Sequence, residues 1–365
     1  YQTFIATSRY ARWLDDKGRR ESWGETVERY IQNIVKPWLK PVDLEEMRDA
    51  ILGLEVMPSM RSLMTAGKAA DRDNTCMYNC SYLPVDDLKS FDEAMFILLC
   101  GTGVGFSVER QFISKLPDIP KLFDSDTTVV IKDSKEGWAK GLRQVLALLW
   151  AGEIPKSGNW WENAAHRALA NNSVSYTEKP DSIAFMREWT ALMESGSGER
   201  GVFNREASIK QAAKNGRRET CYEFGTNPCS EIILRPNQFC NLTEVVVRAT
   251  DSLQDLSRKI RIATVLGTIQ STYTNFPYLR KVWNTNTEAE RLLGVSLTGI
   301  MDNPLMTTAN EGLSETLEHL KNVAIDTNAE WANRLSIPVS TAITCVKPSG
   351  TVSQLVDSAS GIHAR

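Results

Sequence analysis

Apolar residues recur at spacings of three and four near the start of the chain, first at Val27, Tyr30, Ile31, Ile34 and Val35, then at Leu44, Met47, Ile51 and Leu54. Each set lays an apolar stripe along a helix, so two amphipathic helices are expected, the second capped by Asp43 with Glu46. Polar residues 68–74 interrupt the pattern and read as a loop. The economical division is a small N-terminal helical region over residues 1–67 and a larger domain over 68–365. In that second part the period changes repeatedly. Residues 77–84, 127–132, 231–234, 241–247 and 342–346 are strand-like, whereas 90–99, 138–150, 181–194, 252–272 and 314–335 carry helical spacing. Ser90 with Glu93 is expected to cap the first of these helices and Gly101 to end it. Strands alternating with helices predict an α/β architecture, open-sheet or barrel, rather than a sandwich or a bundle.

Composition acts mainly by exclusion. With 42 basic against 45 acidic residues, the formal net charge is −3, which offers no bulk attraction to nucleic acid or to an anionic membrane. A 365-residue chain that is 42% apolar is expected to bury a sizeable core. No uncharged apolar stretch approaches the roughly 18 residues needed to span a bilayer, and Tyr1-Gln2-Thr3-Phe4 lacks the pattern of a signal peptide. A soluble, cytoplasmic protein is the expectation. The seven cysteines are then expected to be reduced. Cys100, at the end of an apolar run, and Cys345, within 341–346, read as small buried hydrophobes.

Several common signatures are absent. Gly101-Thr102-Gly103-Val104-Gly105 follows a helix and lacks dinucleotide-binding spacing, so a tight turn is the better account. His166, His319 and His363 are too few and too dispersed for a histidine-based metal centre. Trp160-Trp161 reads as packing, and Arg217-Arg218 and Lys17-Gly18-Arg19-Arg20 as solvated faces.

The informative segment is Gly225-Thr226-Asn227-Pro228-Cys229-Ser230-Glu231, followed by Cys240-Asn241-Leu242. Asn-Pro makes a turn, which puts Cys229 at a loop tip with Glu231 on the same side two residues on. A thiol and a carboxylate then face one small volume. Cys240 follows after a strand and a turn, and Cys80 sits in an earlier strand. If neighbouring strands bring Cys80 and Cys240 to a Cα separation of about 5.5 Å, the pair can interconvert between dithiol and disulfide. A four-thiolate zinc site of Cys76, Cys80, Cys229 and Cys240 is a competing reading, weakened by the lack of a close-spaced second pair.

Together, Asn227-Pro228-Cys229-x-Glu231 with Cys240, Asn79-Cys80-Ser81-Tyr82 before the glycine-rich run, and Lys347-Pro348-Ser349-Gly350-Thr351 resemble the catalytic subunit of ribonucleotide reductase. They are most similar to its adenosylcobalamin-dependent (class II) ribonucleoside-triphosphate reductases. The resemblance implies a ten-stranded α/β barrel with the radical cysteine on a loop inside it. It implies that Cys229 becomes a thiyl radical that takes the 3′ hydrogen of the ribose, that Glu231 accepts the 3′-OH proton and that Asn227 orients the substrate hydroxyls. It further implies that Cys80 and Cys240 are the reductant pair, and that Pro348, Ser349, Gly350 and Thr351 hold the substrate phosphates. Ser59 and Ser62 resemble a further phosphate region. The implied cofactor is adenosylcobalamin. The implied partners are a ribonucleoside triphosphate or diphosphate, a thioredoxin-like reductant and a deoxynucleotide effector.

The chain departs from the family in two places. Residues 152–156 run directly into Ser157-Gly158-Asn159-Trp160-Trp161, where the family carries a long segment coupling effector to substrate choice. The sequence also stops before the family's closing barrel strands and C-terminal cysteine pair, so either a shortened variant, natural or engineered, that external reductant regenerates or a partial gene product is expected. Two alternatives stay open: the branch that takes its radical from a diiron subunit, and a nucleotide-binding remnant without catalysis.

Overall fold

The structure, a computed structural model, describes residues 1–154, 172–195, 200–307 and 311–364. The chain divides into two compact units. One comprises Tyr1–Ser81, Gly101–Gly103 and Gln238–Arg365, the other Tyr82–Cys100 and Val104–Asn237.

The first unit is built on a three-stranded sheet. Its middle strand, Leu242–Val246, runs parallel to Gly294–Thr298 and antiparallel to Val56–Met57. All five residues of that strand are buried, as a strand covered on both faces requires. The long helix Leu253–Gln270 packs over the sheet. Ser252 and Asp255 close a reciprocal capping box at its start, satisfying amides that have no partner within the helix. The helix Glu311–Leu335 lies against it, pinned where the buried Asn328 amide donates to Thr268 at 3.0 Å and to Ser340 at 2.9 Å.

The N-terminal helices are present at Trp23–Tyr30 and Pro41–Leu52. Ser22 and Glu25 box the first. The second begins on Pro41, without a side-chain cap from the expected Asp43, because proline at the first turn brings a fixed φ and leaves no amide to satisfy. The expected loop at 68–74 is instead a short helix, Lys68–Arg72, followed by a 3₁₀ turn, Asn74–Met77. The Asp73 carboxylate accepts the Thr75 N–H at 2.8 Å and starts that turn, local work that a polar side chain does as readily as it faces solvent.

In the second unit the helices Lys89–Leu99 and Lys135–Trp150 pack together. Arg143 reaches the fully buried Asp92 carboxylate at 2.5 Å. Leu88, not Ser90, precedes the first helix and offers no side-chain cap, while the Asp87 carboxylate accepts the Lys89 N–H at 2.8 Å; Ser90 and Glu93 are buried inside the helix instead. Gly101 ends it with φ +83°, a left-handed conformation that glycine adopts without strain.

Two expected strands change character. Residues 127–132 form no strand, and pairing falls one step earlier, between Phe123–Asp124 and Glu153–Ile154. Ile131 lies against Gly141 of the following helix, so β-branched side chains that favour extended backbone are used for packing without a ladder partner. Residues 342–346 reduce to a single parallel bridge between Val295 and Thr344.

The alternating α/β architecture is present, and among the described strands no sheet closes into a barrel. They assemble into separate sheets of two or three strands, none of them closed. All of the described strands are two to five residues long, and closure needs a continuous, staggered ladder around the whole sheet.

Candidate functional site

In the first unit Cys80 opens the strand Cys80–Pro84 and Cys240 follows the strand Gln238–Phe239. The Cys240 N–H donates to the Cys80 carbonyl at 2.9 Å, and the Cys80 N–H donates to Cys240 Sγ at 3.1 Å. Residues 160 apart in sequence are thereby side by side. Cys240 is fully buried and Cys80 half-buried. Both are thiols in this structure, as are the other five cysteines.

An aromatic cluster holds the pair in place. Phe239 stacks on Tyr78 with centroids 5.1 Å apart and meets Phe276 and Trp283 at 4.8 Å each. All four rings are buried. Burial pushes the Tyr78 phenol well above its ordinary value, with Arg291 opposing and Cys240 adding to the rise, so it remains a neutral donor to the Tyr273 carbonyl at 2.8 Å. Asn241 anchors the next residue by donating to the Gly267 carbonyl at 2.9 Å.

Ser59 and Ser62 lie in the same unit. The Ser59 hydroxyl is 2.6 Å from Asn79 Oδ1, beside Cys80, and accepts from the Ser62 N–H at 3.4 Å. Ser62 is fully buried. The segment Pro348–Thr351 leads into the short helix Thr351–Val356. Ser349 is buried, and its hydroxyl donates to Glu244 at 2.6 Å. Gly350 is exposed and Thr351 half-buried.

In the second unit Asn227, Cys229 and Glu231 share one turn. The Ser230 N–H donates to the Asn227 carbonyl at 2.9 Å, and Ser230 takes φ +65°, so the chain reverses at Pro228-Cys229 and exposes the Cys229 thiol. Glu231 is not aligned with Cys229 along a strand, since pairing with Gly225–Thr226 begins only at Ile233. Its carboxylate is held by the Asn227 amide, Nδ2 to Oε2 at 2.5 Å, while Asn227 Oδ1 accepts the Ile232 N–H at 3.0 Å. Asn227 is buried and Glu231 half-buried.

Two glycines let other segments press against this turn. A Cβ on Gly105 would fall 2.1 Å from the Thr226 carbonyl oxygen, and one on Gly225 would fall 2.1 Å from the Tyr82 ring. Neither distance is physically accessible, so the backbone approach requires glycine. Gly105 was expected in a tight turn; it lies instead in the strand Gly103–Ser107.

Sequence reasoning missed several supporting residues. Arg218, expected on a solvated face, is buried: it lies 4.7 Å from the Phe224 ring centroid and donates to the Ile233 carbonyl at 2.8 Å. Lys17 and Arg19 do sit at the surface, both on Glu25. Arg205 is buried and pairs with Glu109 at 2.5 Å. Burial opposes ionisation of Glu109, but hydrogen bonds from Arg205 and Ser107 override it and hold the carboxyl at about 2. Glu244 had a usable signal, a carboxylate inside the apolar run 242–247, where an unpaired charge would be costly.

Trp160 and Trp161 lie outside the described residues. Among the described residues no three His, Cys, Asp or Glu side chains gather as metal ligands, and no helix is long and apolar enough to cross a membrane.

No family model matches the chain. It is 23% identical to the adenosylcobalamin-dependent ribonucleoside-triphosphate reductase of Lactobacillus gasseri across 97% of this chain and 72% of that protein. It is 22% identical to the enzyme of the same name from Lacticaseibacillus paracasei, over 97% and 71%. A shorter stretch, 35% of this chain and 22% of the relative, is 30% identical to the enzyme of that name from Lactobacillus delbrueckii subsp. bulgaricus. The first similarity spans 550 aligned positions, more than the 365 residues of this chain, so that relative carries internal segments with no counterpart here. Among solved structures, the crystal structure of a B12-dependent (class II) ribonucleotide reductase superposes with a TM-score of 0.72 at 17% identity, over 98% of this chain and 74% of that one. The chain is thus similar along nearly its whole length to proteins named adenosylcobalamin-dependent ribonucleoside-triphosphate reductase and shares the fold of that class II structure.

Proposed function

We propose that this chain, related throughout to the adenosylcobalamin-dependent ribonucleoside-triphosphate reductases, reduces ribonucleoside triphosphates to deoxyribonucleotides through a thiyl radical at Cys229. The observation that carries the reading is the juxtaposition of Cys80 and Cys240. Nothing in local sequence pairs two cysteines 160 residues apart, and two hydrogen bonds, one between backbones and one from the Cys80 N–H to Cys240 Sγ, hold them without a disulfide.

The roles follow from side-chain chemistry. An S–H bond is close in strength to the ribose 3′ C–H bond, so a Cys229 thiyl radical can take that hydrogen and later return it. Glu231 accepts the 3′-OH proton. Asn227, already bonded to the Glu231 carboxylate, holds the base in one orientation for that transfer. The 2′ oxygen leaves as water with a proton from the Cys80–Cys240 pair, whose two thiols give up two electrons and become a disulfide. Ribonucleotide and dithiol therefore yield deoxyribonucleotide, water and disulfide. When bound, adenosylcobalamin supplies the one-electron chemistry that makes the cysteine radical, and the exposed Cys229 thiol fits that need because it can be reached from outside its own turn.

In this reading Gly350 and Thr351 belong to the substrate-phosphate loop, with Pro348 and Ser349 shaping it and Ser62 lying in a second phosphate region. The parallel neighbours Leu242–Val246 and Gly294–Thr298 are strands of the family's ten-stranded barrel. A thioredoxin-like protein reduces the disulfide in the cytoplasm, and a deoxynucleotide serves as effector. The test is turnover with adenosylcobalamin, a ribonucleoside triphosphate and dithiothreitol. Deoxynucleotide formation that Cys229→Ser abolishes supports the reading. Nucleotide binding without product would make the chain a non-catalytic remnant.

A further inference from the structure

Ser349 stands in the segment read above as the phosphate loop, yet its side chain is turned inward. A serine hydroxyl has a single proton to donate, and that of Ser349 goes to Glu244 Oε2 at 2.6 Å. Its oxygen accepts the Ser353 N–H at 3.2 Å. With 2% of its surface exposed, the hydroxyl has no donor left for an anion. Lys347 is committed in the same way: its ammonium sits on Glu244 Oε1, and its backbone N–H donates to Ser296 Oγ at 3.0 Å.

Glu244 and Ser296 are register partners on the two parallel central strands, so their side chains leave the same face of the sheet side by side. One carboxylate and one hydroxyl, set by that register, thus hold both ends of a three-residue stretch, Lys347 to Ser349. The Lys347–Glu244 pair is nearly buried, at 12% and 4% side-chain exposure, and neutralises a carboxylate that would otherwise repel a phosphate. Ser353 and Ser360 close the far side by donating to the Ser349 carbonyl. What the loop leaves to solvent is the exposed Pro348, which has no N–H to donate, the exposed Gly350 and the half-buried Thr351.

We propose that Glu244 is a positioning residue that latches the phosphate loop to the central sheet through Ser349 and Lys347, and that Ser349 is the latch rather than a phosphate ligand. The proposal rests on the reading of Pro348–Thr351 as a substrate-phosphate loop. Loop conformation is then inherited from strand register, and phosphate is met by groups around Gly350 and Thr351.

A double-mutant cycle on the full chain tests this, using Glu244→Gln, Ser349→Ala and the pair, with Thr351→Val as a separate probe. Affinity for a ribonucleoside triphosphate, affinity for the unphosphorylated nucleoside, and urea denaturation are measured for each. A latch predicts that E244Q and S349A each weaken triphosphate binding about tenfold, leave nucleoside binding unchanged, and together do little more than either alone. It predicts a raised KM with kcat retained at saturation. Weakening by S349A but not by E244Q, or effects that multiply in the pair, would overturn the latch. If Thr351→Val leaves triphosphate affinity unchanged, the phosphate-loop reading fails by itself. The denaturation cycle still judges the latch, because additive losses there mean that Glu244 and Ser349 are not coupled.

Discussion

Cys80 and Cys240 are joined by backbone as well as by side chain: the Cys240 N–H donates to the Cys80 carbonyl at 2.9 Å, and the Cys80 N–H to Cys240 Sγ at 3.1 Å. Their approach therefore does not depend on two flexible rotamers meeting. Strand pairing sets it, and the Phe239, Tyr78, Phe276 and Trp283 rings beneath fix it.

The pair should oxidise as a unit. After one turnover without external reductant, alkylation and mass spectrometry should find Cys80 and Cys240 protected together while the other five cysteines remain alkylated. Cys80→Ser or Cys240→Ser should lower multiple turnover with dithiothreitol by at least about a hundredfold, the scale of losing a proton-transfer partner. A disulfide that links either residue to any other cysteine would contradict the pairing.

Glu231→Gln keeps the hydrogen bond from Asn227 and removes only the basic oxygen. The expected result is a kcat about 10²-fold lower with KM nearly unchanged. Asn227→Ala, which releases the Glu231 carboxylate and the Ile232 N–H, should fall at least as far. Full activity in Glu231→Gln would remove Glu231 from the chemistry.

Glu109 ties stability to pH. Its folded-state value of about 2 lies below the ordinary 4.5, so its stabilising contribution is complete above about 4.5 and fades as pH falls towards 2. Glu109→Gln should cost on the order of 2–3 kcal/mol at pH 7. The gap between wild type and variant in thermal denaturation should narrow steadily below pH 4.5. A gap independent of pH would show that the loss is one of packing rather than of charge.

Gly225→Ala would drive a methyl into the Tyr82 ring and Gly105→Ala into the Thr226 carbonyl. Each should destabilise by about 1–3 kcal/mol or more and lower activity beyond the stability loss, because both glycines border the turn that carries Asn227 and Cys229. Trp283→Ala, in the aromatic cluster under Cys240, should cost about 3–5 kcal/mol. Urea denaturation reads all three, and a Gly225→Ala protein as stable as wild type would mean that the close approach is not maintained in solution.

Much of this was legible in the order of residues. Spacings of three and four located the helices, because a helix that packs must put its apolar groups on one face. Asn-Pro announced the turn at Cys229, because proline restricts the residue before it. The motifs at residues 79–82, 227–231 and 347–351, in that order, identified the relatives, because each needs particular side chains at fixed local spacing. Pairing across distance was not legible. That Cys240 lies against Cys80, that Arg218 is buried on Phe224, and that Ser349 spends its proton on Glu244 all depend on which strands become neighbours and in what register. A one-residue slip of the strand Leu242–Val246 would turn Glu244 to the opposite face and away from Ser349. The same holds for the sheets: residues 127–132 and 342–346 favour extended backbone by composition, but a strand exists only where another edge supplies the hydrogen bonds, and the tertiary arrangement of the described residues gives the first none and the second a single bridge.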